Sequence, residues 1–384
     1  MLFSACASTH ISNMNTNVSF KIHDDEARMW KRAQELEDVL NASGFVYNDE
    51  QLTNYVNEIL HKLIGDYERA NNVKLRAVIL RDPLFNAFCL PNGTIYVHTS
   101  ILANADNEAQ LAALLGHESG HFLNRHQLKQ FRSIVNKSAF FYSMQLALTG
   151  ASGAVGADYS SSVDLARLLA EYTIIGSVFG YSREMEREAD KFAFDIIVKK
   201  GYDPVEAKKF MENLYEATKD EKQKVPYFYH THPRAKERIR NYDFFIKNLK
   251  SDKTVSVGNL KNTDKYNSMV KNVLLDNCEL DMKRNNFKSA KKQVERYNSL
   301  CSKDARAYFI LGKIYFLEGN KDEAEKELSK AINCNPSYPE TYKTLGMICL
   351  KKDDKSQAKK HFEKYLQLNP NALDIDYIRR YLNE

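Results

Sequence analysis

The sequence predicts a chain in two parts, an α+β domain that is mostly helical with a small sheet, followed by an all-α solenoid of helical hairpins. Three observations predict it. Asn107 to Phe122 reads as one amphipathic helix that carries His117, Glu118 and His121. Asn86 to Val97 reads as two short strands around Pro91-Asn92-Gly93, and towards the C-terminus apolar and small positions recur every 34 residues. With 384 residues, 43% apolar and 27% charged, the chain is globular and long enough for two cores. Its net charge of +5, from 55 basic and 50 acidic residues, is too mild and too evenly mixed to point to nucleic acid.

Residues 1–23 form an N-terminal tail. Within it Phe3-Ser4-Ala5-Cys6 resembles a lipobox, which would place a lipid anchor on Cys6. Met1-Leu2 lacks the basic and apolar regions of an export signal, so the start lies upstream, or the tail is trimmed, or Cys6 is a chance cysteine. The other cysteines, 89, 278, 301, 334 and 349, are odd in number and define no disulfide framework.

Residues 24–248 form the first domain, and its chemistry is concentrated in His117-Glu118-Ser119-Gly120-His121. Residues four apart on a helix lie one turn apart on nearly the same face, so both imidazoles can address a single tetrahedral Zn2+. Glu118 sits about 100° round the helix, where a carboxylate can take a proton from a water on the ion and pass it to a leaving amine. Such a site needs a third protein ligand. Gln127 stands where the spacing to a third histidine would put it, and no glutamate occurs between Glu118 and Glu171, so the ligand comes from farther along the chain.

The run Ser182-Arg183-Glu184-Met185-Glu186-Arg187-Glu188-Ala189-Asp190 follows on a second helix. H-E-x-x-H paired with a later S-R-x-x-E-x-x-A-D resembles the gluzincin family of the prenyl-protein (CAAX) and heat-shock membrane proteases, metallopeptidase family 48. The resemblance makes Glu186 the third zinc ligand and Asp190 a residue that hydrogen-bonds a ligand histidine. Helical geometry agrees, putting 186 and 190 on one face and turning Glu184 and Glu188 towards a solvated charged face with Arg183, Arg187 and Lys191.

Asn86 to Val97 resembles that family's N-A-x-x-x-P-x-G-x-I-x-V segment, which implies a sheet edge able to pair with an extended substrate; a hairpin without that role is the alternative. Thr231-His232-Pro233-Arg234-Ala235-Lys236-Glu237-Arg238 resembles its T-H-P-x-x-x-x-R motif. The resemblance makes Arg238 a candidate to stabilise an oxyanion and His232 a removable fourth zinc ligand that keeps the enzyme latent. A turn residue and a surface cation are the alternatives. Ala139 to Gly156 is uncharged but rich in glycine and serine, and reads as a helix and lid over the site rather than a membrane span.

Residues 249–262 are polar and without helical period, the expected linker. Residues 263–384 hold about three repeats. Tyr308, Leu311, Gly312, Ala324 and Leu328 recur as Tyr342, Leu345, Gly346, Ala358 and Phe362, the 34-residue period of tetratricopeptide repeats, and Leu274, Cys278, Ala290 and Val294 make a degenerate first one. The whole is most similar to the periplasmic, BepA-like branch of the family. That resemblance implies a zinc metalloendopeptidase of the periplasm or cell envelope, acting in protein quality control or outer-membrane protein assembly. Its partners would be unfolded or misassembled proteins, with an envelope or barrel-assembly partner reached through the repeats. The competing expectation is a chaperone-like or scaffold protein that binds partners through its repeats and whose proteolysis is latent or vestigial.

Overall fold

The computed structural model describes residues 11–14, 20–135, 180–218, 235–252, 254, 256–301 and 303–383. They divide into two compact units, Met1–Val270 and Lys271–Glu384. The first contains, in order, α1 (Asp24–Ala42), α2 (Glu50–Asn71), β1 (Arg76–Leu80), β2 (Ala87–Cys89), β3 (Thr94–His98), α3 (Thr99–Asn104), α4 (Glu108–Leu123), α5 (His126–Val135), α6 (Arg183–Lys199), α7 (Val205–Thr218) and α8 (Ala235–Ser251).

Among the described residues the sheet has the order β1-β3-β2, with β1 parallel and β2 antiparallel to β3. The expected strands around Pro91-Asn92-Gly93 are β2 and β3, and Gly93 turns the chain at φ +89°. Tyr47 N–H and Arg81 N–H tie residues 45–47 to the outer side of β1, with Val46 bridging Leu80. The side of β2 away from β3 is therefore the sheet's other edge, and there the Cys89 carbonyl accepts from Gln127 Nε2 at 3.1 Å. Ala33, Leu36 and Leu40 of α1 pack on Leu80, Phe88 and Tyr96, forming one apolar core under the sheet.

Helix α4 departs from the amphipathic expectation, because every residue from Glu108 to Leu123 is buried. Its histidine face lies under α6 and α8 instead of facing water, so no side is left for solvent. Gly116 and Gly120 make the crossing with α6 possible: a Cβ at Gly120 would lie 3.1 Å from Ala189 Cα, and one at Gly116 3.2 Å from Ala193 Cα. Glycines against alanines let the two backbones approach within side-chain distance.

The start of α4 is pinned by polar groups. Asn107 caps it by accepting from Gln110 N–H at 3.1 Å. Glu108 accepts from Tyr55 Oη, Tyr202 Oη and Asn262 Nδ2 at 2.8, 2.7 and 2.6 Å. Residues 258–262, expected as linker, thus belong to the first unit: Leu260 N–H donates to Gly201 O at 3.2 Å, and Glu108 N–H to Lys261 O at 3.0 Å. The boundary falls later, between Val270 and Lys271, within helix α9 (Thr263–Lys283), whose Tyr266 hydroxyl donates to Leu102 O.

The second unit continues with α10 (Phe287–Leu300), α11 (Ala305–Leu317), α12 (Lys321–Cys334), α13 (Pro339–Lys351), α14 (Lys355–Leu368) and α15 (Ile375–Asn383). The 34-residue period is a packing period. A Cβ on Gly312 would lie 2.7 Å from Leu328, and one on Gly346 2.5 Å from Phe362, the same pair one repeat on. In the degenerate first repeat Cys278 occupies the glycine position and its thiol donates to Ala290 O at 3.2 Å. Among the described residues no helix is long and apolar enough to cross a membrane.

Candidate metal centre

Helix α4 contributes His117, Glu118 and His121, α6 contributes Glu186 and Asp190, and α8 contributes Arg238; all six are buried. Among the described residues His117, His121 and Glu186 form a group whose donor atoms all lie within 4.8 Å of one another. The two Nε2 atoms stand 3.0 Å apart, and the Glu186 carboxylate faces both of them, Oε2 at 3.5 Å from His117 Nε2 and Oε1 at 3.4 Å from His121 Nε2. Donors bound tetrahedrally at 2.0–2.1 Å stand about 3.3 Å apart, so the triangle has the dimensions Zn2+ requires. Burial pushes the His121 imidazole well below its usual range, against the pull of Glu186, and so favours the neutral, ligating form.

Asp190 lies directly behind His117. Its Oδ1 accepts from His117 Nδ1 at 3.0 Å and from Tyr242 Oη at 3.2 Å, and its two oxygens take Arg238 Nη2 at 2.6 Å and Nε at 3.0 Å. Burial alone would raise this carboxyl, but Arg238 and His117 outweigh it and hold Asp190 below the ordinary carboxylate range. Arg238 also brings Nη1 to 3.4 Å from Glu186 Oε2 and Nη2 to 3.3 Å from His117 Nε2. Burial opposes its charge, but Asp190 and Glu186 prevail and keep the guanidinium protonated.

Glu118 sits close enough to Cys89 of β2 and to Tyr181 that its charge, added to burial, raises both of their ionisations. Tyr181 stacks on His121 with ring centroids 3.7 Å apart and planes at 17°. On the far side of His121, His126 approaches Nδ1 to Nδ1 at 2.9 Å, and its Nε2 reaches Glu188 Oε2 at 3.1 Å.

A model of peptidase family M48 matches residues 50–243, half of the chain. The chain belongs to peptidase family M48. A tetratricopeptide-repeat model matches 305–338 and 339–372. Similar proteins include the mitochondrial metalloendopeptidase OMA1 of Schizosaccharomyces pombe, 30% identical over 195 residues covering 50% of this chain and 53% of that one. The beta-barrel assembly-enhancing protease of Escherichia coli is 27% identical over 206 residues, covering 52% of this chain and 40% of that one. The chain therefore spans about half, or less, of the length of these relatives.

Five of the residues expected at the site, His117, His121, Glu186, Asp190 and Arg238, meet around one point, with Glu118 buried on the same turn of α4 as His117. His232, Cys6 and residues 139–156 lie outside the described residues. Glu188 does turn away from the donor triangle, as expected, but it is bonded to His126 rather than merely solvated. Sequence reasoning passed over His126, Tyr181 and Tyr242. A histidine five residues beyond His121, and a tyrosine directly before the Ser182 that caps α6, were the available signals.

Proposed function

We propose that the chain is a zinc metalloendopeptidase that cleaves peptide bonds with a water activated by Glu118. The observation that carries this reading is the donor triangle of His117, His121 and Glu186, closed to Zn2+ dimensions, with Glu118 buried beside it. When bound there, Zn2+ supplies Lewis acidity that polarises a scissile carbonyl and acidifies water. Glu118 then accepts the water's proton on its carboxylate and returns it to the leaving amine nitrogen. Asp190 holds the His117 ring through Nδ1, so that Nε2 would be the atom to hold Zn2+. Arg238, fastened by Asp190 and next to His117 Nε2, would stabilise a developing oxyanion.

An extended substrate would pair along the edge of β2, close to Glu118. His232 would act as a removable fourth ligand that keeps the enzyme latent. In the second unit a cavity of about 430 Å³, bordered by Met282, Phe309, Lys313 and Tyr338, offers the repeats a place to grip a protein partner. The bacterial relative is named for enhancing β-barrel assembly, and the role we propose for this chain lies in the cell envelope, in protein quality control or at the assembly of outer-membrane proteins. A pure scaffold would have no use for Glu118, which favours the enzyme.

The test is Glu118→Gln against His121→Ala and Glu186→Ala, each assayed for bound zinc and for cleavage of an unfolded β-rich protein. Glu118→Gln should keep stoichiometric zinc and lose cleavage, whereas the other two lose the metal. Cleavage that survives in Glu118→Gln refutes the mechanism.

A further inference from the structure

The two histidines of the donor triangle are backed differently. His117 Nδ1 meets a buried carboxylate, Asp190, directly. His121 Nδ1 meets another imidazole, that of His126, whose own Nε2 reaches Glu188 on the surface, 54% exposed. This arrangement fixes the protons along the line. Nε2 of His121 points into the triangle and must offer a lone pair to the ion, so its proton sits on Nδ1 and is donated to His126 Nδ1. His126 then carries its proton on Nε2 and donates it to the Glu188 carboxylate, so each contact has one donor and one acceptor.

The backbone has been bent to make this contact. Arg125, between α4 and α5, adopts φ +54°, a left-handed conformation that a non-glycine residue occupies only at a cost. A buried ion pair holds it there: Arg125 Nε donates to Glu26 Oε1 at 3.0 Å and Nη2 to Oε2, and Nη1 reaches Ser12 O at 3.2 Å. The turn ends α4 two residues after His121 and begins α5 with His126, which folds the second imidazole back on the first. Burial and Tyr181, stacked on His121, close the remaining sides.

We infer that His126 and Glu188 are positioning residues for the zinc ligand His121, forming a carboxylate–imidazole relay that sets its tautomer and ring orientation and raises its basicity through a charge at the surface. The inference rests on the zinc reading of the site. His126 is not itself a ligand, since it faces Nδ1 of His121 while Glu186 faces Nε2.

The experiment measures zinc affinity by competition with a chromogenic chelator, and the visible spectrum of the Co2+-substituted full chain, for His126→Phe, Glu188→Gln and His121→Ala. His126→Phe should weaken zinc 10- to 100-fold, the range for groups that orient a ligand histidine, and shift the cobalt bands. Glu188→Gln keeps the hydrogen bond but removes the charge, so a measurable fall, smaller than that of His126→Phe, is expected. Wild-type affinity and an unchanged cobalt spectrum in Glu188→Gln and His126→Phe overturn the relay while leaving the zinc site intact. If His126→Phe does not fold, Glu188→Gln decides alone, because its side chain is exposed. Full zinc affinity in His121→Ala would instead overturn the zinc reading itself.

Discussion

Gly120 is the residue through which helix packing sets the metal geometry, and Gly120→Val should weaken zinc binding about 100-fold without touching a ligand. A Cβ at this position lies 3.1 Å from Ala189 Cα and 3.3 Å from Phe192 Cδ1 before any methyl is added. Two more carbons, each about 1.5 Å beyond that Cβ, force α4 and α6 apart by about 1 Å to regain contacts of 3.5–4.0 Å. The Glu186 to histidine edges, now 3.4 and 3.5 Å, would then exceed about 4.2 Å, the greatest separation that one ion with bonds of 2.0–2.1 Å can span. Losing one ligand of four from a zinc site worth roughly 10–16 kcal/mol is on the order of 3 kcal/mol, or 100-fold in affinity. Chelator competition reads this directly, and melting of the metal-free protein reads the separate overpacking cost of about 1–3 kcal/mol. Wild-type zinc affinity in a folded Gly120→Val protein refutes the claim that the α4–α6 approach assembles the site.

Three further outcomes are expected. Burial tends to raise the Glu206 carboxyl, but bonds from Lys261, Asn107, Lys209 and Gln110 lower it to about 2 from an ordinary 4.5, so its contribution is complete above pH 4.5 and is lost as pH falls towards 2. That contribution is at most about 3 kcal/mol, nearer 1–2 once solvent screening of the lysines is allowed for, and Glu206→Gln should lose it at pH 7 and match wild type near pH 2 in urea melts. Removing residues 271–384 should leave cleavage of a short peptide unchanged and slow cleavage of a protein target, because an attached second contact raises substrate concentration near the site; equal losses on both would show that the repeats hold the protease unit together. His232→Ala should retain zinc and cleave unfolded substrate faster than wild type, and no change in either zinc or rate would leave His232 a turn residue.

The parts of the site that one helix supplies were legible because helical spacing alone brings them together: His117, Glu118 and His121 need no tertiary information. Glu186 lies 65 residues beyond His121, and only the motif resemblance singled it out from Glu184 and Glu188. The period of the second unit was legible for a similar reason, since Gly312 with Leu328 and Gly346 with Phe362 repeat one local packing solution. What the sequence hid was carried by backbone and by turns. Residues 258–262 look like linker because their side chains are small, polar or irregular, yet Leu260 joins Gly201 and Asp203 through main-chain hydrogen bonds that leave no mark on side-chain pattern.

The same distinction explains why His126 was overlooked. In sequence it falls past the end of the zinc helix, one position short of where a third ligand histidine would be tested, and nothing local says that Arg125 will turn the chain back. That turn depends on Glu26, 99 residues earlier, whose burial is tolerable only because Arg125 neutralises it. Glu188 misled in the opposite way. Its place among Arg187 and Lys191 made it look like one more solvated charge, and it is indeed exposed. An exposed carboxylate bonded to a buried imidazole can still act on a metal ligand one residue further in, so solvent exposure of a side chain does not by itself separate it from the chemistry of the centre.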